Sequence, residues 1–149
     1  MRAVVQRVTQ ARVAIDGECV GEIQKGILLF VGFSADDDEA SIDYIIDKTV
    51  NLRIFEDSDD KMNLSLVDID GGLLVVPNFT LYGDTRKGRR PGYSSGASPT
   101  VAEGIYYRFI EALKSRYNKV ETGVFQTEMQ VGLVNDGPVT LLLDSTKTF

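Results

Sequence analysis

The sequence predicts a mixed α/β domain, two stacked β-sheets with two helices packed on one side, and three observations support it. Runs rich in β-branched residues, punctuated by Asp-Gly and Gly-Gly, occupy both ends of the chain. Two segments between them carry apolar residues at helical spacing. The length of 149 residues suits one domain, residues 1–149, with a core of its own.

The elements follow in order. Val-rich Arg2–Ile15, the turn pair Asp16-Gly17 and Glu18–Ile23 read as an opening hairpin. Lys25-Gly26 breaks the chain, and Ile27–Phe33 is a continuous apolar run suited to a strand buried on both faces. The acidic run Asp36–Glu39 marks a helix N-terminus, and Ile42, Ile45, Ile46, Thr49 and Val50 form one helical face. A short strand, Leu52–Phe55, leads into the polar loop 56–63. Asp57 and Asp59 in that loop suggest a calcium loop, but Lys61 and Met62 stand where a ligand and a glycine belong. Leu64–Ile69 and Leu73–Val76 read as a second hairpin around Asp70-Gly71-Gly72, ended by Pro77. The long polar stretch 83–98 is a loop of a length usually kept for function. Ser98 and Pro99 open a second helix with the stripe Val101, Ile105, Phe109, Ala112, Leu113 and Tyr117. Val120–Gln126, Met129–Val134 and Val139–Leu143 close the chain as strands, with 135–138 as a turn.

Composition excludes several chemistries. There is no histidine, so Ser-His, Cys-His and histidine-ligated metal mechanisms are impossible. Cys19 is the single cysteine, which rules out an internal disulfide and a thiolate zinc cluster. Neither metal nor cofactor is expected. Charge interrupts the first twelve residues, fitting neither a signal peptide nor a membrane span, so no membrane partner is expected and the location should be cytoplasmic. The net charge of −6 disfavours non-specific nucleic-acid binding, yet positive charge gathers at Arg86, Lys87, Arg89 and Arg90. By chemistry alone that run is a solvated loop or a phosphate contact, Asn135–Pro138 a turn, and Thr80 a strand-end hydroxyl.

Two stretches change the reading: Leu73-Leu-Val-Val-Pro-Asn-Phe-Thr-Leu81 and Val131-Gly-Leu-Val-Asn-Asp-Gly-Pro-Val-Thr140. They resemble the two signature motifs of D-aminoacyl-tRNA deacylases. Val5–Val13, Arg53-Ile-Phe55 with Lys61–Leu64, and Gly96-Ala-Ser-Pro99 are similar too, and all five segments come in the family's order. The resemblance implies the family's fold, an aminoacyl-tRNA substrate, and a homodimer with active sites at the subunit interface. Each site would use the partner's Gly137-Pro138, joined by a cis peptide bond. Gly137, Pro138, Asn135, Val139 and Met129 would bind substrate and reject L-residues. Asn78, Phe79 and Thr80 would carry the catalysis: Thr80 and the amides near Phe79 hold the ester, and Phe79 stacks on the terminal adenine. Arg86, Lys87, Arg89 and Arg90 would meet acceptor-stem phosphates. The family usually has Ser-Gln before Phe-Thr-Leu, whereas this chain has Pro77-Asn78 and so lacks that hydroxyl and a backbone donor. The competing readings are a non-catalytic RNA-binding dimer and a general small-ester hydrolase. Enlarging Gly137 is expected to harm catalysis more than folding.

Overall fold

A computed structural model describes residues 1–149. Strand β1, Arg2–Ile15, organises the molecule because its inward residues alternate along 14 positions. It turns through Asp16 and Gly17, both at positive φ, into β2, Glu18–Ile23. The first half of β1 pairs antiparallel with β3, Gly26–Gly32, and its second half with β2. The whole opposite edge of β1 pairs with the last strand, β8, Gln130–Asp144, numbered by its place in the chain.

β3 is buried along nearly its whole length, as its unbroken apolar run requires. It pairs in parallel with β6, Gly72–Pro77, which pairs in parallel with β7, Val120–Thr122. Gly26 and Gly72 face each other so closely that a Cβ on Gly26 would stand 1.9 Å from the Gly72 carbonyl oxygen. Only glycine permits that approach. A separate ribbon joins β4, Phe55–Glu56, to β5, Met62–Leu64.

Helix α1, Glu39–Asn51, begins at Asp38, whose carboxylate accepts from the Ser41 amide at 2.9 Å. Its buried face is Ile42, Ile45, Ile46, Thr49 and Val50, the stripe read from the sequence. Helix α3, Pro99–Arg116, buries Ile105, Phe109 and Leu113 as expected, while Val101 is exposed and Ala112 half-buried. Both helices pack with Met1, Val5, Leu29 and Leu73 into one 24-residue cluster on one side of the sheet. A second cluster, built on Val8, Ala11, Val13, Leu28, Leu74 and Val76, fills the other side.

Three expectations need correction. The strands do not divide into the two stacked sheets expected: only β4 and β5 stand apart as a two-stranded ribbon, and the other six form one hydrogen-bonded sheet, because β1 is long enough to run through both halves. Its two ends still approach, since a Cβ on Gly21 of β2 would lie 3.2 Å from the Thr122 carbonyl of β7. Residues 64–76 are not a hairpin. Ser65 and Asp68 form a capping box that starts a one-turn helix α2, Leu66–Ile69, a third helix the sequence reading missed, and β6 then runs parallel to β3. Finally, residues 135–138 do not separate two strands. They lie inside β8, whose pairing with β1 continues across irregularities near Arg7.

Candidate active site

At Pro77, β6 ends and the chain turns into a 3₁₀ turn, Phe79–Tyr82. The Asn78 amide donates to the Val31 carbonyl at 2.7 Å, anchoring the turn to the end of β3. Asn78 caps the turn. Its Oδ1 accepts from the Thr80 backbone amide at 3.1 Å and from the Thr80 hydroxyl at 2.6 Å. Thr80 therefore has both its donors committed to its neighbour, and its side chain lies exposed outside the cavity described next.

Asn78 and Phe79 border an apolar cavity of about 1040 Å³, lined also by Phe30, Val76, Tyr93, Ala97, Phe125 and Met129. That size accommodates a sizeable organic ligand. Phe79 is 67% exposed and meets Tyr93 edge to face, with ring centroids 5.1 Å apart. The opposite wall is the segment after β7. Tyr106 of α3 stacks on Phe125 at 5.6 Å and donates its hydroxyl to the Gly123 carbonyl at 3.2 Å. Burial pushes the Tyr106 phenol up to about 12, so it remains a neutral donor at ordinary pH. Glu128 is the only acidic or basic residue on the cavity wall. A site with so little acid–base equipment suits a reaction that supplies its own proton-transfer group.

Gly137, Pro138, Asn135 and Val139 do not line this cavity; Met129 does. They sit midway along β8, and the Gly137–Pro138 bond is cis. Asn135 Nδ2 brackets the pair by donating to the Arg7 and Val139 carbonyls, each at 3.0 Å. Arg7 holds it from beneath. Its Nε donates to the Asp136 carbonyl at 3.2 Å and pairs with the Asp136 carboxylate at 3.2 Å, while Nη1 donates to the Ile54 carbonyl at 2.7 Å. Arg7 is 4% exposed, and the sequence reading missed it. The available signal was an arginine at an inward position between Val5 and Val8.

The basic loop lies outside the cavity, on a small hairpin closed by the Asp84–Gly92 bridge. Lys87, Arg89 and Arg90 are exposed. Arg86 is engaged: its Nε and Nη2 donate to the Asp84 carboxylate at 2.8 and 2.7 Å. Those hydrogen bonds hold Asp84 well below the usual carboxylate range.

Residues 4–144 match the family model described as D-Tyr-tRNA(Tyr) deacylase. Proteins named D-aminoacyl-tRNA deacylase from Caldicellulosiruptor saccharolyticus and Thermosipho africanus are 57% and 56% identical, each over 149 residues and the full length of both chains. A solved structure described as c-Myc DNA Unwinding Element Binding Protein superimposes with a TM-score of 0.92 at 38% identity, covering 97% of this chain and 98% of the other.

Proposed function

The chain belongs to the D-Tyr-tRNA(Tyr) deacylase family, and from that membership we propose that it hydrolyses the ester bond of D-aminoacyl-tRNA, releasing the D-amino acid and the tRNA. The observation that carries the reading is the apolar cavity bordered by Asn78 and Phe79, in a chain without histidine. An aminoacyl ester is already activated, and the 2′-hydroxyl beside it on the terminal ribose assists attack by water. The protein then has mainly to orient and to exclude. Phe79, exposed at the cavity rim, is placed to stack on the terminal adenine.

Selectivity comes from a second copy of the chain. β8 pairs only with β1, which leaves one edge of a 15-residue strand open, and Val134, Leu141 and Leu142 are exposed along it. Long bare edges are normally covered. A homodimer through this surface would carry the partner's Gly137-Pro138 to the cavity, with Asn135 and Val139 steadying it. Rigid main chain there leaves room for hydrogen but not for a side chain on one face of the α-carbon. D-residues and glycine enter, so glycine mis-charged on tRNA is a second substrate. Rejecting L-esters by about 10⁴ takes roughly 5.5 kcal/mol, which collision with a fixed backbone can supply.

Purified protein should release D-tyrosine from D-tyrosyl-tRNA, spare the L-ester and run as a dimer in light scattering. Binding of tRNA without turnover, equal cleavage of both enantiomers, or a monomer would overturn the reading.

The basic loop gives a separate expectation. Lys87→Ala, Arg89→Ala and Arg90→Ala should each raise KM and reduce the steepness of its salt dependence by about one counterion. Arg86→Ala should do less, because its guanidinium is already spent on Asp84. KM measured from low to moderate salt checks this ordering.

A further inference from the structure

Asn78 and Thr80 divide their work differently from what the motif suggests. An amide oxygen and nitrogen are interchangeable in outline, but a backbone N–H can only donate, so the Asn78 atom facing the Thr80 amide must be Oδ1. The Thr80 hydroxyl, 2.6 Å from the same oxygen, donates as well. Two donors therefore fix the carboxamide in one orientation. Its Nδ2 makes no hydrogen bond within the chain and is not sealed from solvent, and the side chain borders the cavity. What Asn78 presents to a ligand is two N–H donors.

Beside them in the turn stands the Phe79 amide, which no acceptor in the chain engages. Pro77 has no N–H, and the Thr80 amide and hydroxyl are both occupied. Resting on the deacylase reading above, we infer that Asn78 Nδ2 joins the Phe79 amide in steadying the developing oxyanion, and that Thr80 is a positioning residue acting through Asn78. In the step concerned, water oxygen bonds to the ester carbonyl carbon and the C=O electron pair moves onto the carbonyl oxygen, where Nδ2 meets it. Collapse restores the C=O bond and breaks the bond to the ribose 3′-oxygen. That oxygen keeps one proton from water, and the amino acid's carboxyl releases the other to solvent. Asn78 neither gives nor takes a proton.

Three variants in the full-length protein test the assignment by steady-state cleavage of D-tyrosyl-tRNA. Asn78→Asp still accepts from Thr80, and Asp caps a turn as well as Asn, so folding is preserved; near-UV circular dichroism and melting check this. It replaces the donors with a negative charge. Its kcat should fall about 100-fold or more, with KM changed only a few-fold. Asn78→Ala frees the Thr80 amide to serve in its place, so it should lose less, roughly 10-fold. Thr80→Val should cost kcat a few-fold and Thr80→Ser should recover most of it, the pattern of a hydroxyl that orients a neighbour. If Asn78→Asp keeps its kcat within about threefold of the unaltered protein, or if Asn78→Ala is the worse of the two, Asn78 is a cap and nothing more. No turnover by the unaltered protein, by contrast, overturns the deacylase reading and this assignment together.

Discussion

Gly137→Ala is expected to lower cleavage of D-tyrosyl-tRNA at least about 100-fold and to destabilise the fold by roughly 2–4 kcal/mol. Gly137 sits at φ +121, a conformation an L-residue adopts only under strain. Its absent Cβ would meet Val139 Cγ2 at 2.9 Å, Arg7 Nη2 at 3.0 Å and the Val139 amide nitrogen at 3.1 Å. The sequence suggested that catalysis would suffer more than folding. These contacts predict that both suffer, because the groups that position the Gly-Pro pair also occupy the space. Urea unfolding reads the stability, and activity should be compared at a temperature where the variant remains folded.

A mixing experiment then separates a role at the neighbouring site from general damage. On the proposed dimer, Asn78→Asp would disable a subunit's own cavity, whereas Gly137→Ala would disable the cavity of its partner. In a mixed dimer of the two, one site has both parts intact and the other has neither. Random exchange should therefore restore about a quarter of the wild-type sites, from two preparations that are each inactive. If the Gly-Pro pair served its own subunit, every site in the mixture would carry one defect and no activity would return.

Much of the fold was legible in the sequence, and the reasons differ by element. The start and stripe of α1 were legible because the acidic run Asp36–Glu39 and Ile42, Ile45, Ile46, Thr49 and Val50 are local signals, while the cap itself, Asp38, shows only in the structure. The opening hairpin was equally local, its turn chemistry written in Asp16-Gly17. Residues 64–76 were misread because apolar alternation outweighed Ser65-x-x-Asp68, a capping box that starts a helix of one turn. The parallel pairing of β3 and β6 is not a local property. It depends on the crossover through α1 and on the Gly26–Gly72 approach. At the site, Asn78, Phe79 and Met129 were identified and do border the cavity, through the resemblance rather than through composition. The Asn78–Thr80 capture was hidden because Phe-Thr-Leu continues an apolar strand pattern. Tyr106 lies outside the stripe read for its helix and Phe125 falls within an expected strand, and only their stacking shows that they brace a cavity wall.

Arg7 carries the second large expected effect. Arg7→Leu should cost roughly 3 kcal/mol and reduce activity about as severely as Gly137→Ala. The guanidinium is buried and ties three groups together: the Ile54 carbonyl, the Asp136 carbonyl and the Asp136 carboxylate. Leucine leaves the carbonyls without that donor and lets the Gly137 segment drift. Asp136 is 39% exposed, so water takes over part of its loss, and Asp136→Ala should be milder, at about 1 kcal/mol. Arg7→Lys keeps the charge but offers one compact ammonium instead of a planar fork. It cannot reach Ile54 on one side and Asp136 on the other, so it should recover less than half of the lost stability. Because a Cβ on Gly137 would lie 3.0 Å from Arg7 Nη2, the two sites should not act independently. In the double variant Arg7→Leu with Gly137→Ala, the collision with the guanidinium is gone, and the combined loss should fall short of the sum by about 1 kcal/mol. Strict additivity, or an Arg7→Leu protein that cleaves D-esters at the normal rate, would mean that the Gly-Pro pair is held in place by something other than this arginine.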